Sequence, residues 1–504
     1  MTASHRNSRA PAPPGAAMAA PIAAVPEPMD AVDRAWLEMD GVHNPMVVAS
    51  IMEFEGVADA AQLARRLVER MRVQRRFRQR AVPSATGYDW VEDDGLRFGY
   101  HARIRELDPP GTDVQLQVAI AAELGLALDR ALPLWRICLF PRGNRRVAVL
   151  FRAHHAIADG VALMQLLLHL ADGTPATNGS AAPEPGAPPH GPLGKIIRGL
   201  ETVNSMLENL TDLAIDDLRH PGKFTRQVNE VRRTLAAVGR VMLLPDNNPP
   251  RFRVEPAGRR AVAWTSNLSF HAVRKLARAQ DVTINDIFLT ALAGAFGRYL
   301  RAVDGSVPEG QNLRVSVPVN LRAAGDATLG NAFGLVLLDL PVGLDGWHAR
   351  LDVIADRMAS LKQSSEARAV LIALAAAGRL PAAAERRLTG VVGNKAAAVV
   401  SNLPGPRRAL QFGAARLANM VFWPPQTAGI GIGVSLLSYA GHVTVGISAD
   451  TAQIARPRDV IDAFCAELAA MLGYSPAVRQ AGPRRQPRPS TTARSATGVN
   501  HVQA

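Results

Sequence analysis

One seven-residue stretch limits what this chain can fold into more than any other feature: HHAIADG, residues 154–160. Before it stands VAVLFRA, residues 147–153, whose alternating side chains predict a β-strand, and after it apolar residues recur at helical spacing. Asp159 occupies the position of a helix N-cap, where its carboxylate can accept a hydrogen bond from the first turn. The stretch therefore predicts a strand, a tight turn and a capped helix.

The two histidines of this turn are the first candidate functional residues. Because successive strand side chains point to opposite faces, His155 shares a face with Phe151 and Ala153, and His154 faces the other way. An imidazole held at a strand end can accept a proton near neutral pH, which is the task of a general base. The alternatives are two core histidines bonded to the backbone, or a metal site. Neighbouring strand histidines point apart, so we predict no metal.

Further short motifs lie along the chain. They are PLW (Pro133, Leu134, Trp135), ND (Asn285, Asp286), LGNAFG (residues 329–334), SNLPGP (residues 401–406, beginning with Ser401 and Asn402) and SY (Ser438, Tyr439). Each also has a structural interpretation: PLW as the entry to a strand with a core tryptophan, ND as part of a helix capping box, and the others as turns. HHAIADG resembles the HHxxxDG motif of the chloramphenicol-acetyltransferase-like acyltransferases. With the other motifs, most of the chain resembles their bacterial wax ester synthase/diacylglycerol acyltransferase branch.

The resemblance implies a role for each motif. His155 would be the catalytic base, with His154, Asp159 and Gly160 supporting the turn. Substrate-binding positions would be those of three motifs: Pro133, Leu134, Trp135, Asn285, Asp286, Ser401 and Asn402. In the wider superfamily an arginine of the second domain can pair with the motif aspartate, and both Arg314 and Arg322 are candidates here.

The resemblance also implies the substrates. Acyl-CoA would enter as a substrate rather than a resident cofactor, and the acceptor would be diacylglycerol, a long-chain alcohol or both. The expected location is cytoplasmic, with peripheral attachment to membranes or lipid droplets. Two alternatives stay open: an acyltransferase or condensation enzyme that uses a carrier-protein thioester, and a non-catalytic acyl-CoA- or lipid-binding relative.

The expected fold class is α/β with mixed sheets, in two chloramphenicol-acetyltransferase-like domains with the active site in a channel between them. A length of 504 residues favours at least two cores. We predict a disordered tail over residues 1–28, an N-terminal domain over 29–172, a linker and helical crossover over 173–250, a C-terminal domain over 251–475, and a disordered basic tail over 476–504.

The charge balance is basic, with 57 Lys and Arg against 44 Asp and Glu and a net charge of +13. This charge suits nucleic acid or an anionic lipid surface, but no aromatic interleaving or nucleic-acid-binding motif accompanies it, so we predict no nucleic-acid partner. The longest apolar runs are shorter than the roughly 20 residues of a membrane span. Two cysteines cannot form a disulfide framework, which favours a reducing compartment.

Overall fold

The structure, a computed structural model, describes residues 26–41, 45–85, 87–93, 95, 97–172, 239, 243–245, 248–321, 331, 333–363, 370, 395–426 and 429–474. The predicted C-terminal tail and nearly all of the predicted crossover lie outside these residues. The predicted N-terminal tail extends too far, because Glu27–Pro28 form a short strand, β1, that pairs with Trp90 and Asp89. The Glu27 carboxylate also contacts Arg75 and Arg76, which gives this strand charged partners as well.

The first half of the chain contains seven strands and five helices among the described residues. In chain order they are β1, α1 (Ala31–Met39), β2 (Val47–Glu55), α2 (Ala60–Val73), β3 (Gln79–Ser84), β4 (Gly87–Glu92), α3 (Phe98–His101), β5 (Ala102–Ile104), α4 (Asp113–Leu124), β6 (Trp135–Pro141), β7 (Val147–His154) and α5 (Gly160–Leu170).

The second half contains nine strands and four helices among the described residues. In chain order they are β8 (Arg260–Trp264), β9 (Leu268–Ser269), α6 (Phe270–Ala279), α7 (Ile284–Asp304), β10 (Leu313–Asn320), β11 (Phe333–Leu340), α8 (Trp347–Gln363), β12 (Ala398–Pro404), β13 (Gln411–Phe412), β14 (Ala415–Trp423), β15 (Ile432–Tyr439), β16 (His442–Asp450) and α9 (Pro457–Met471).

Three sheets organise these elements. The first large sheet has the order β13-β14-β2-β7-β6-β5, the second has the order β11-β10-β12-β15-β16-β8 with β9 beside β16, and β1-β4-β3 form a small third sheet. In the first sheet β6 pairs with β5 in parallel and with β7 in antiparallel fashion. In the second sheet β10 pairs with β12 in parallel and with β11 in antiparallel fashion. The expected mixed α/β class is therefore confirmed.

Strand β7 is one of the two central strands of the first sheet, and every one of its residues is buried. Its side chains alternate between two cores: Val149 and Phe151 pack into one hydrophobic cluster, and Ala148 and Leu150 pack into another on the opposite face. This alternation agrees with the sequence pattern. The end of β7 is thus held from both sides, which fixes the position of the turn that follows.

The predicted domain boundary at residue 250 does not fully separate the two halves of the chain. Strand β14 belongs to the second half of the sequence, yet it pairs with β2 in the first sheet, from Arg416 opposite Glu55 to Trp423 opposite Ala49. The physical reason is apolar burial, because Met420 and Phe422 pack into the core of the first half. The two halves therefore share a sheet as well as a boundary.

Several elements begin at residues that the local sequence marks as start signals. Helix α4 has a capping box between Thr112 and Gln115, and Ser269 caps the start of α6. Strands β15 and β16 form a hairpin. Each of these elements carries its own start signal or alternation in the local sequence.

Candidate active site

The HHAIADG turn has the predicted form of strand, turn and capped helix. Strand β7 ends at His154, and the Asp159 carboxylate accepts a hydrogen bond of 3.0 Å from the Ala162 N–H at the start of α5. The backbone is fixed on both sides of the turn. The His154 N–H donates to the Leu134 carbonyl at 2.9 Å, and the His155 N–H donates to the Met46 carbonyl at 2.8 Å.

The His155 side chain lies among aromatic rings and is 4% exposed. Its ring stacks on Trp36 of α1 with ring centroids 4.1 Å apart. The ring centroid of Phe333 in β11 lies 5.5 Å from that of His155. Burial lowers the pKa of His155 to about 4, although the negative charge of Asp159 acts in the opposite direction. The imidazole is therefore neutral at physiological pH, the form in which a ring nitrogen can accept a proton, and the lowered pKa makes it a weaker base than a free imidazole.

Asn331 connects both halves of the chain at this point. Its Nδ2 donates one hydrogen bond of 2.8 Å to the Asp33 carboxylate of α1 and another of 2.8 Å to the His155 carbonyl. All three residues are buried. The candidate site is thus assembled from α1, from the HHAIADG turn and from a residue of the second half.

Asp33 is a carboxylic acid in an apolar setting, 6% exposed. Its pKa is raised to about 8, mainly by burial; the charges of Asp30 and Asp159 act in the same direction, and Asn331 and Arg76 act to lower it. Since the charged form loses its hydration in such a site, the neutral acid is the favoured state at pH 7.

His154 has different surroundings from His155, as the strand alternation predicted. Its Nδ1 accepts a hydrogen bond of 3.1 Å from the Ala156 N–H, and its Nε2 lies 3.7 Å from Asp40 Oδ1. Burial acts to raise the pKa of Asp40, but the contact with His154, the Met46 N–H and the charge of Arg130 together lower it. His154 therefore holds the shape of the turn.

Gly160 is the first residue of α5, and its lack of a side chain is a steric requirement. A Cβ at this position would lie 2.9 Å from Phe422 Cζ and 3.2 Å from Leu403 Cδ1. Both neighbours belong to the second half of the sequence, in β14 and β12. Glycine here lets the start of α5 approach those strands closely.

An apolar cavity of about 40 Å³ begins beside Gly160 and extends under α5. Phe151, Leu163 and Phe422 line it near the turn. Four methionine side chains also line it: Met52, Met71, Met164 and Met420. Methionine is flexible and adapts to irregular shapes, so this cavity can change its volume more easily than one lined by branched residues.

The PLW motif lies in the core rather than at an open site. Leu134 and Trp135 are fully buried, and Pro133 is buried beside them. Trp135 Nε1 donates to the Phe77 carbonyl at 2.9 Å, and its ring stacks on His101 with centroids 4.4 Å apart. PLW contacts the turn through its backbone, because the Leu134 carbonyl accepts the His154 N–H. The structural interpretation fits this geometry better than a substrate contact.

The ND and SNLPGP motifs meet in the structure although they are far apart in sequence. Asn402 Nδ2 donates to Asn285 Oδ1 at 3.1 Å, at the partly exposed end of β12. Asp286 forms the predicted capping box with Thr283 at the start of α7. Ser401 is buried in β12. Asn285 and Asn402 are thus the members of these motifs whose side chains are partly exposed to solvent.

These two asparagines are connected to the HHAIADG turn through their neighbour Leu403. The Leu403 side chain is one of the two groups that approach Gly160. The amide pair therefore lies at the end of a strand that packs directly against the start of α5.

Arg314 does not pair with Asp159. Its guanidinium makes a two-pronged contact with Asp339, with Nε at 2.7 Å and Nη2 at 3.1 Å, and Nη1 donates to the Pro245 carbonyl at 2.7 Å. The other candidate, Arg322, lies outside the described residues.

The sequence analysis missed the roles of Asp33, Trp36 and Asn331. The sequence does contain a signal for Asp33. This residue lies on the apolar face of α1, where Val32, Trp36 and Leu37 are also buried. A carboxylate on an apolar helix face is uncommon without a partner or a function. Asn331 lies in the LGNAFG motif, residues 329–334, but its contacts with Asp33 and His155 are distant in sequence and cannot be inferred from the local sequence.

Neither cysteine has the properties of a nucleophile. Burial raises the pKa of Cys138 to about 12 and also raises that of Cys465. A thiolate is the reactive form of cysteine, so both thiols are held in the unreactive form at neutral pH. Within the part of the chain that the structure describes, no three His, Cys, Asp or Glu side chains are grouped to bind a metal ion.

Two family models match the chain. The wax ester synthase/diacylglycerol acyltransferase catalytic domain matches residues 29–288, and the WS/DGAT C-terminal domain matches residues 329–472. A putative diacylglycerol O-acyltransferase of Mycobacterium tuberculosis is 30% identical over 397 residues, which cover 75% of this chain and 80% of the relative. A probable diacylglycerol O-acyltransferase of the same organism is 27% identical over 431 residues, which cover 83% of this chain and 90% of the relative.

Solved structures show the same fold. The wax ester synthase/diacylglycerol acyltransferase from Marinobacter aquaeolei VT8 superposes with a TM-score of 0.62 at 23% identity, covering 88% of this chain and 100% of the other. The first condensation domain of the CDA synthetase superposes with a TM-score of 0.54 at 17% identity, covering 89% of this chain and 96% of the other. The two-domain acyltransferase fold is therefore common to this chain, to that acyltransferase and to a condensation domain.

Proposed function

The chain belongs to the wax ester synthase/diacylglycerol acyltransferase family, and we propose that it moves a fatty acyl group from acyl-CoA to diacylglycerol or a long-chain alcohol, with His155 as general base. The observation that carries the proposal is the state of His155. It is a neutral imidazole, stacked on Trp36, at the point where both halves of the chain meet.

In the proposed reaction, His155 accepts the proton of the acceptor hydroxyl while the hydroxyl oxygen attacks the thioester carbonyl. The tetrahedral intermediate then breaks its C–S bond and releases CoA as a thiolate. The imidazolium returns its proton to that thiolate, so the imidazole is restored at the end of the cycle. Because burial lowers the pKa of His155 to about 4, its imidazolium is a stronger acid than that of a free histidine and returns the proton readily.

This route needs no covalent enzyme intermediate. Burial raises the pKa of both thiols, and that of Cys138 reaches about 12. Direct transfer between two bound substrates, with one base that serves both proton transfers, is the route that the described side chains support best.

The acyl chain would lie in the methionine-lined cavity beside Gly160. Its walls are apolar, which suits an alkyl chain, and the cavity begins at the residue that starts α5. A volume of about 40 Å³ is small for a fatty acyl chain, so binding would require the four methionine side chains to move.

We also propose that the protein attaches to the surface of membranes or lipid droplets, where its acceptor lipids are found. No helix in the described ranges combines the length and hydrophobicity of a membrane span. Basic side chains near an anionic lipid surface contribute roughly 1 kcal/mol each. The net charge of +13 therefore favours such attachment.

The test is an acyl-transfer assay with palmitoyl-CoA and two acceptors, hexadecanol and diacylglycerol, run side by side. Formation of wax ester or triacylglycerol supports the proposal. Hydrolysis of the thioester without acyl transfer to either acceptor would contradict the proposal. Transfer only from a carrier-protein thioester would favour the condensation-type alternative instead.

A further inference from the structure

We propose that Trp36 is a positioning residue for the acyl transfer: the face of its indole ring stabilises the imidazolium form of His155 through a cation–π contact. The inference rests on the proposed function for its kinetic consequence, because the imidazolium is a reaction intermediate only if His155 is the base. The contact itself can be measured without acyl transfer.

Trp36 covers one face of the His155 ring. The two ring centroids are 4.1 Å apart and the ring planes differ by 21°, so the rings are stacked nearly parallel. Both side chains are buried, at 3% and 4% exposure. A cation within about 6 Å of the centre of an aromatic ring is attracted by the negative potential of its face, and tryptophan gives the strongest attraction.

Phe333 has a different relation to the same imidazole. Its ring centroid lies 5.5 Å from that of His155, and the two planes are inclined at 50°. It also contacts Trp36, with ring centroids 5.9 Å apart. Phe333 therefore completes an aromatic enclosure, while the ring that stacks on the imidazole is that of Trp36.

The position of Trp36 is tied to the backbone of the base. Asp40 follows α1 directly, and its Oδ1 accepts a hydrogen bond of 2.8 Å from the Met46 N–H. The Met46 carbonyl in turn accepts the His155 N–H at 2.8 Å. The end of α1 and the HHAIADG turn are thus joined through two hydrogen bonds, which keep the indole against the imidazole.

The imidazolium needs such stabilisation because it forms away from water. Burial lowers the pKa of His155 to about 4, since the charged ring loses its hydration. Asp159 and the Asn331 side chain favour the protonated form, and His154 opposes it. The Asp33 carboxyl, also on α1, has a pKa raised to about 8 and is neutral at pH 7. An aromatic face adds to the favourable contributions without bringing another charge into the site.

A stacked indole acts unequally on the two protonation states of the base. Beside the neutral imidazole it provides packing, and beside the imidazolium it adds the attraction between a cation and the ring face. An interaction that is stronger in the transition state than in the ground state raises kcat and not substrate affinity. Trp36 should therefore affect kcat and leave KM for acyl-CoA nearly unchanged.

The test replaces Trp36 by tryptophans that carry one, two or three ring fluorines. Fluorine withdraws electrons from the ring face and weakens its attraction for a cation, while the shape of the side chain is nearly retained. We expect kcat to fall with each added fluorine, by roughly 10-fold over the series. The pKa of His155, followed by NMR of its Cε1 position, should fall from about 4 in the same order.

The matched control is the same fluorinated series at Trp423. This tryptophan is also buried, at 1% exposure. Trp36 and Trp423 pack into different hydrophobic clusters, which lie on the two faces of the first sheet. Fluorination of Trp423 should leave kcat and the pKa of His155 unchanged.

Two ordinary substitutions extend the series. Trp36→Leu removes the aromatic face and should lower kcat by roughly 10- to 30-fold, the size of a cation–π contact away from water. Trp36→Phe retains a smaller aromatic face and should lower kcat less. The fluorinated proteins keep the side chain in place, so the test does not depend on the folding of Trp36→Leu.

A kcat and a His155 pKa that do not respond to fluorine at Trp36 would overturn the inference, even if Trp36→Leu is slow, because the indole would then only fill space. A wild-type protein that does not transfer acyl groups, but whose His155 pKa responds to fluorine, would overturn the proposed function and leave the contact between Trp36 and the imidazolium standing.

Discussion

Individual residues decide the chemistry, and His155 and His154 show how far the sequence reveals it. Strand alternation alone predicted that the two rings have different surroundings, and the structure places one on Trp36 and the other beside Asp40. Asn331 belongs to the LGNAFG motif, but neither its contacts nor those of Asp33 could be predicted in the same way. These contacts span 298 and 176 residues of chain, which no local pattern encodes.

The protonation of Asp33 gives a prediction at the residue scale. Its pKa is raised from 3.8 to about 8, so between these values the folded protein holds a proton that the unfolded chain releases. The contribution of Asp33 to the free energy of unfolding must then fall as pH rises through this window, by at most about 1.4 kcal/mol per pH unit.

Asp33→Asn removes this titration and retains the shape of the side chain. We expect the difference in Tm, variant minus wild type, to be larger at pH 8 than at pH 5. Thermal unfolding followed at both pH values measures this difference. A difference in Tm that is the same at both pH values would show that Asp33 titrates normally in the folded protein.

At the scale of elements, the sequence predicted the pieces that carry their own start signals. Asp159 was expected as a helix cap and the ND motif as part of a capping box, and Asp159 and Thr283 each accept a hydrogen bond from the first turn of their helix. The sheet membership of β14 was not predicted. An apolar strand pairs equally well with many partners, so the choice depends on the assembled fold.

Asp159 gives the prediction at this scale. Asp159→Ala should lower the free energy of unfolding by about 1 kcal/mol through the lost cap. Its effect on kcat should be far smaller than that of removing the base, because the carboxylate bonds the Ala162 N–H. Chemical denaturation and initial rates measure the two effects.

Ser269→Ala is the matched control, since Ser269 caps α6 with a bond of 3.2 Å to the Ala272 N–H. A similar loss of stability in both variants is the expected result. An unchanged stability in Asp159→Ala, combined with a collapse of kcat, would assign Asp159 to the chemistry instead.

At the scale of the whole molecule, the two halves complete one another. Asn331 and Phe333 from the second half meet His155 from the first, and β14 completes the first sheet. The resemblance of the motifs to a known family implied a site between two domains. The pairing of β14 with β2 was not implied by any motif, because it is a property of the assembled chain.

Membrane attachment is the prediction at this scale. Flotation with anionic liposomes should show binding at low salt that weakens at high salt, because charges more than about 10 Å apart are screened near 0.1 M. Deletion of residues 476–504, which carry several arginines, should weaken binding further. Binding that ignores salt would indicate an apolar anchor, and absence of binding at low salt would contradict membrane attachment.

The most direct test of the central claim is the acyl-transfer rate of His155→Ala. We predict a rate lower by about 10² to 10⁴, the usual contribution of a general base. The matched control is His101→Ala, because His101 is also buried, stacks on a tryptophan ring at 4.4 Å and has a pKa lowered by burial. That variant should lose stability and keep its turnover. A folded His155→Ala protein that transfers acyl groups at the wild-type rate would contradict the assignment of His155 as the base.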